Sequence, residues 1–263
     1  MIYLSDNFPD DSKIQQTVDK LNHIELGNSR VYLNGNCFKF ECNLGNLIAD
    51  AFVHYKAKTY KGRNFTDTAI GLVPAKNINS SIQLNSLFDG IIVTDDLRYV
   101  INHPRQLITV EIQGTALRKT MEYYLEKSTY ANGIFLQVSG LHIRYDRRNI
   151  RRKRLTSLLT RCDNCLLPVY TDMAMGKVYQ VITTMNMVDG TLGHIIFGNM
   201  SKIVKKEKIQ DFEAVRSYMV EMKNIQPSVA ERIRIIMKGL AINLTNPEIN
   251  LLTVMGITIS GLI

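Results

Sequence analysis

The sequence predicts a mixed α+β layered domain. Three observations carry this: several segments repeat apolar residues with a helical period, others are short β-branched or alternating runs, and the two kinds do not alternate strictly along the chain. A chain of 263 residues with 45% hydrophobic content can bury a substantial core, and it carries no internal repeat or low-complexity tract.

Taken in order, Asp11 and Ser12 can cap a lead-in helix over Ser12 to Leu21, with Ile14, Val18 and Leu21 on one face. A strand is expected at Arg30 to Leu33, followed by an Asn34-Gly35 turn. The clearest period lies at Asn43 to Tyr55, where Leu44, Leu47, Ile48, Ala51, Phe52 and Tyr55 form one stripe that must face a core; Asn43 is the expected cap. Thr68 to Val73 reads as a buried strand, and Leu107 to Ile112 as another that Gly114 ends. A helix capped by Thr115 should then bury Leu117, Met121, Tyr124 and Leu125. Strands follow at Leu141 to Tyr145 and Lys177 to Thr184, and a last helix at Asp211 to Lys223 should turn Phe212, Val215, Met219 and Met222 inward.

The division expected is a linker-helix remnant over 1–25, a domain over 26–238, and a polar spacer with an apolar tail over 239–263. Thirteen uncharged residues from Leu251 to Ile263 are too few to span a bilayer as a helix; a lipid-anchor signal and a buried terminal element both fit them. No secretory signal is visible at the start of the sequence. The formal charge of +8 suits an anionic partner but equally a solvated surface.

Four cysteines form two close pairs, Cys37 with Cys42 and Cys162 with Cys165. The spacing is poor for zinc and fits two local disulfides better. Sequons stand at Asn64, Asn79, Asn199 and Asn243. The histidines His23, His54, His103, His142 and His194 are scattered, with no His-x-His or His-Glu-x-x-His, so each reads as structural or surface. The phosphate-binding Gly-x-x-x-x-Gly-Lys-Ser/Thr loop and the Gly-x-Ser-x-Gly elbow are absent. Seven bases crowd eleven positions: Arg144, Arg147, Arg148, Arg151, Arg152, Lys153 and Arg154, against Asp146 alone. They read as a solvated hairpin loop or as a polyanion-binding patch; the loop is favoured because only Tyr145 could stack on a base.

The segment Cys37-Phe-Lys-Phe-Glu-Cys-Asn-Leu-Gly-Asn-Leu-Ile-Ala-Asp-Ala51 resembles the Glu-x-x-x-Gly-Asn-Leu-x-x-Asp-Ala signature that opens the C-terminal domain of animal ecto-5'-nucleotidases and apyrases. The likeness continues to about Ile235, through Val31 to Gly35, Gly133 to Asp146 and Pro227 to Ile233. It implies a 5'-nucleotidase C-terminal fold, an extracellular or cell-surface place, a possible homodimer, and disulfides at both cysteine pairs. A third family disulfide has lost both partners, at Ala49 and Gly71. Members of the family hold two divalent metals, typically zinc, in an N-terminal metallophosphoesterase domain to which nothing here corresponds, so no cofactor is expected in this chain.

The resemblance also implies a nucleotide site, and here the sequence departs from it. The first basic residue of that site aligns with Phe38, the family's Asn with Pro74 and its phosphate-side Arg with Asn79. Its two base-stacking aromatics align with His103 and Asn186, and the ribose-holding Asp with Leu192. Each exchange removes a required interaction, so nucleotide binding is expected to be weak or nil and catalysis absent in this chain. Two other roles stay open: part of an active nucleotidase, or an extracellular polyanion-binding protein.

Overall fold

The structure is a computed structural model, and it describes residues 24–83, 90–191 and 194–237. The lead-in helix, Leu192 and the apolar tail lie outside the described residues. Within them the prediction of an α+β layered domain holds. Eleven strands form three sheets: β1 (Glu25–Asn28), β2 (Ile70–Pro74), β3 (Ile91–Val93), β4 (Gln106–Gln113), β5 (Leu136–Ser139), β6 (Leu141–Asp146), β7 (Leu155–Arg161), β8 (Tyr170–Asp172), β9 (Val178–Thr184), β10 (Ser201–Gln210) and β11 (Ile233–Ile236). The helices are α1 (Asn43–Thr59), α2 (Thr94–Val100), α3 (Gly114–Lys127), α4 (Ile195–Met200) and α5 (Asp211–Met222).

The central sheet runs β10-β4-β9-β2-β5; only its β2–β9 pair is parallel. A second sheet runs β11-β6-β7-β8, and β1 pairs with β3 apart from both. The chain crosses from the first sheet to the second at Gly140, between β5 and β6. Its φ of +72° and the carbonyl oxygen of Ala69, which an added Cβ would strike, leave room there for glycine alone.

Helix α1 lies on β2 and β5 and packs against α5. Its stripe is buried as expected, apart from Tyr55, which is half-buried. Gly45 lets it approach β5, since an added Cβ would collide with Gln137 Cγ. Gly71 and Ala49 adjoin across the same interface, an added Cβ on Gly71 lying 2.8 Å from the Ala49 carbonyl oxygen. Both cysteine pairs are disulfide-bonded. The predicted burial of Leu117, Met121, Tyr124 and Leu125 on α3 also holds.

Four local expectations are corrected. The strand at Arg30 to Leu33 is not formed: the chain makes β1 earlier, and Leu33 contributes only one bridge, to Ile82. Asn43 does not cap α1; Cys42 precedes the helix and its Sγ accepts from the Gly45 amide at 3.1 Å. Thr115 lies inside α3, which starts at Gly114 without a side-chain cap. Met222 is 49% exposed because the last turn of α5 runs past the core.

Candidate functional site

Strand topology gathers five of the six positions singled out from sequence at one end of the central sheet. Because β2 and β9 are parallel, the chain leaves both at the same end, through 3-10 turns at Ala75–Asn77 and Met185–Met187. The antiparallel neighbours begin there: Leu107 of β4 lies opposite Thr184, and Leu136 of β5 opposite Pro74. Pro74 therefore closes β2, Asn79 and Asn186 follow the two strands, and His103 precedes β4. Phe38 arrives from the loop before α1, and its ring covers Gly133 beside Lys76.

The polar groups at this end are spent on one another. Asn186 Oδ1 accepts from Thr184 Oγ1 at 2.6 Å, and its Nδ2 donates to Asn77 Oδ1 at 2.8 Å. Asn77 Nδ2 donates to Thr184 Oγ1 at 3.0 Å, and all three residues are buried. Asn79 Nδ2 donates to the Val100 carbonyl at 3.1 Å and to Asn102 Oδ1 at 2.8 Å. His103 is exposed to solvent. Asn77 and Thr184 were not singled out from sequence. Their role depends on the β2–β9 pairing, which brings together residues more than a hundred positions apart.

Behind these turns His194 is fully buried against Tyr124, ring centroids 5.2 Å apart, and neither ring nitrogen has a partner among the described residues. Burial, and then the Lys76 charge, push its pKa down to about 4, so the ring is neutral at physiological pH. An open cleft of ≈ 580 Å³ borders Asn102, between α2 and the start of α5. Its charges are matched within the protein: Arg98 with Asp95 at 3.9 Å, and Glu213 with Arg216 at 2.9 Å.

A second set of polar residues lies within the signature, and of these the sequence singled out only Asn43, as a cap. Glu41, Asn43, Asn46 and Asp50 all reach the segment Pro227 to Ile233. Glu41 accepts from the amides of Ala230 (2.8 Å) and Ile233 (3.0 Å), while Asn46 Nδ2 donates to Glu41 (2.6 Å) and to the Ser228 carbonyl (3.0 Å). Asn43 Nδ2 donates to the carbonyls of Tyr32 (2.7 Å) and Pro227 (3.3 Å). Asp50 takes a two-pronged pair from Arg232, at 2.7 and 2.8 Å. These contacts tie the segment that carries β11 to the signature. The only sequence signal for them was polarity on the side of α1 away from its stripe.

Among the described residues no three His, Cys, Asp or Glu converge so as to hold a metal ion. The resemblance places the family's two metals in an N-terminal domain, and the described residues offer no ligand set for them. The other histidines of the described part make local contacts: His54 stacks on Tyr218 and lies 3.3 Å from Glu221, and His142 stands edge-on to Tyr170.

Comparison with known proteins agrees with this architecture. The family model described as "5'-nucleotidase, C-terminal domain" matches residues 22–199. Protein 5NUC of Lutzomyia longipalpis is 33% identical over 249 residues, covering 89% of this chain and 43% of that protein. The 5'-nucleotidase of Bos taurus is 30% identical over 249 residues, covering 89% and 42%. The chain thus spans less than half the length of these relatives. Among solved structures, the 5'-nucleotidase precursor of Thermus thermophilus shares the fold, with a TM-score of 0.71 at 21% identity over 87% of this chain and 42% of that one. On its fold and on the family model that matches most of its length, this chain belongs to the 5'-nucleotidase C-terminal domain family.

Proposed function

We propose that this chain keeps the architecture of a nucleotide-gripping domain but has a dismantled ligand site, so that it binds nucleotides weakly or not at all and does not itself hydrolyse them. The observation that carries this is the closed Asn77–Thr184–Asn186 network where, by resemblance, a base-stacking aromatic belongs. A buried amide offers no aromatic stacking face, and the Asn186 oxygen and one of its N–H groups are already engaged within the protein. Asn79, at the position of the phosphate-side Arg, is uncharged and bonded to Val100 and Asn102. It cannot make a bidentate contact to phosphate. Phe38 replaces a further base with an apolar ring.

Titration calorimetry of the purified chain with AMP and with adenosine tests this reading. No saturable heat below millimolar ligand is expected. A micromolar dissociation constant would overturn the proposal and favour a second role, as the nucleotide-holding part of an active hydrolase. That second role draws on the share of the relatives' length, 42 to 43%, that the chain covers. Work outside the reducing cytosol is the compartment that two disulfides favour.

A further inference from the structure

The basic run from Arg144 to Arg154 is the densest charge in the molecule, and the nucleotide reading does not use it. It occupies the end of β6, the β6–β7 loop and the approach to β7, so the run lies in a hairpin as expected. The pairing of side chains shows what this loop presents. Arg148 forks onto Asp146 at 2.7–3.2 Å, Arg151 lies 2.9 Å from Glu126 of α3, and Arg154 lies 3.9 Å from the same carboxylate. Arg147 donates to the Leu125 carbonyl at 3.4 Å, at the negative end of α3. Two carboxylates thus orient three arginines, and a backbone carbonyl orients a fourth, without neutralising the set. Arg144, Arg152 and Lys153 are exposed and have no carboxylate partner among the described residues. Even the paired Arg148 and Arg151 leave 59% and 75% of their side chains in solvent. The parallel pairing of β11 with β6 sets Arg234 beside Arg144 and lengthens the array along the sheet.

We infer that this hairpin is a binding surface for a linear sulfated polysaccharide. The cations are spread along an exposed ridge, which suits successive anionic groups on a polymer better than one small anion. A guanidinium fork can donate to two oxygens of a tetrahedral sulfate group at once. Two other polyanions fit less well. Tyr145, the single aromatic of the run, is fully buried, so the run itself offers no platform for stacking bases. Ile150 is 70% exposed at the tip, but it is one aliphatic side chain, too little apolar surface to hold a membrane.

The test measures binding of the full chain to fluorescently labelled heparin across a salt series. One triple variant, Arg144→Gln/Arg152→Gln/Lys153→Gln, removes the unpaired cations. A second, Lys202→Gln/Lys206→Gln/Lys208→Gln, removes the same charge from exposed positions of the edge strand β10. The hairpin variant should weaken binding about tenfold or more near physiological salt and lower the slope of log affinity against log salt by about three. The β10 variant should change affinity less than about twofold. Equal weakening by both variants would reduce the effect to net charge and overturn the inference, as would no weakening by the first. Tighter binding of the unaltered chain to phosphatidylserine vesicles or to a single-stranded oligonucleotide than to heparin would overturn it too. If circular dichroism shows the first variant unfolded, Arg152→Gln/Lys153→Gln, confined to the loop, must still weaken heparin binding.

Discussion

At position 194 a histidine ring is enclosed with both nitrogens unpartnered among the described residues, and this has a consequence for stability. Folding favours its neutral form, because burial lowers its pKa from 6.5 to about 4. The stability tied to that neutral form is fully present above pH 6.5 and is lost as pH falls towards 4, where the unfolded chain takes a proton that the folded chain refuses. The loss approaches about 3 kcal/mol at most. Asp211 works the other way. Burial raises its carboxyl from 3.8 to about 6 despite amide bonds from Arg105 and Phe212, so its contribution is present below 3.8 and lost as pH rises through about 6. Between pH 4 and 6 the two slopes oppose, and the unaltered protein should show a flattened profile. Urea titrations of the unaltered chain and of His194→Asn separate them: the stability difference between the two should change with pH only between about 4 and 6.5. A difference that stays constant across that range would mean that His194 is protonated in the folded state. None of this was legible in the sequence, where His194 is one scattered histidine among five.

Helix α1 shows how one element answers to two demands. Its apolar stripe could be read from the 3.6-residue period, and it is buried because β2, β5 and α5 supply the facing surface. Asn43 of the same signature suggested a cap, and the structure assigns it, with Glu41, Asn46 and Asp50, to the clamp on Pro227 to Ile233. Such a role joins residues about 180 positions apart, which no local pattern can display. Replacing Glu41 by Ala removes the acceptor of two backbone amides and should cost about 1–3 kcal/mol of local stability. Hydrogen exchange is the measurement that checks it. Amides from Ser228 to Ile236 should exchange faster, while those of the central strands β4 and β9 keep their protection. Unchanged exchange in the closing segment would show that Glu41 is not needed to hold β11 in place.

Over the whole molecule, the two disulfides differ in what surrounds them. Cys37 and Cys42 are buried at the entry to α1, whereas Cys162 and Cys165 are half-buried beside the exposed Leu166 and Leu167. Loops this short contribute about 2 kcal/mol by chain entropy at either site. Changing Cys37 and Cys42 to Ser also buries two hydroxyls in the core, so this pair should cost more, by about 1–3 kcal/mol, than the same change at Cys162 and Cys165. Thermal unfolding of the two double variants would rank them, and equal midpoints would refute the ranking. The sequence by itself determined the fold class, the buried faces of the long helices, the cysteine pairs and the loop character of the arginine run, because periodicity, spacing and charge density are local properties. Through the family resemblance it also marked the positions expected to form a ligand site. Only the tertiary structure decided what fills them: the parallel pairing of β2 with β9 closes Asn186 onto Asn77 and Thr184, and the pairing of β11 with β6 extends the basic ridge. Those contacts depend on which strands become neighbours, and that is settled by burial of the whole chain.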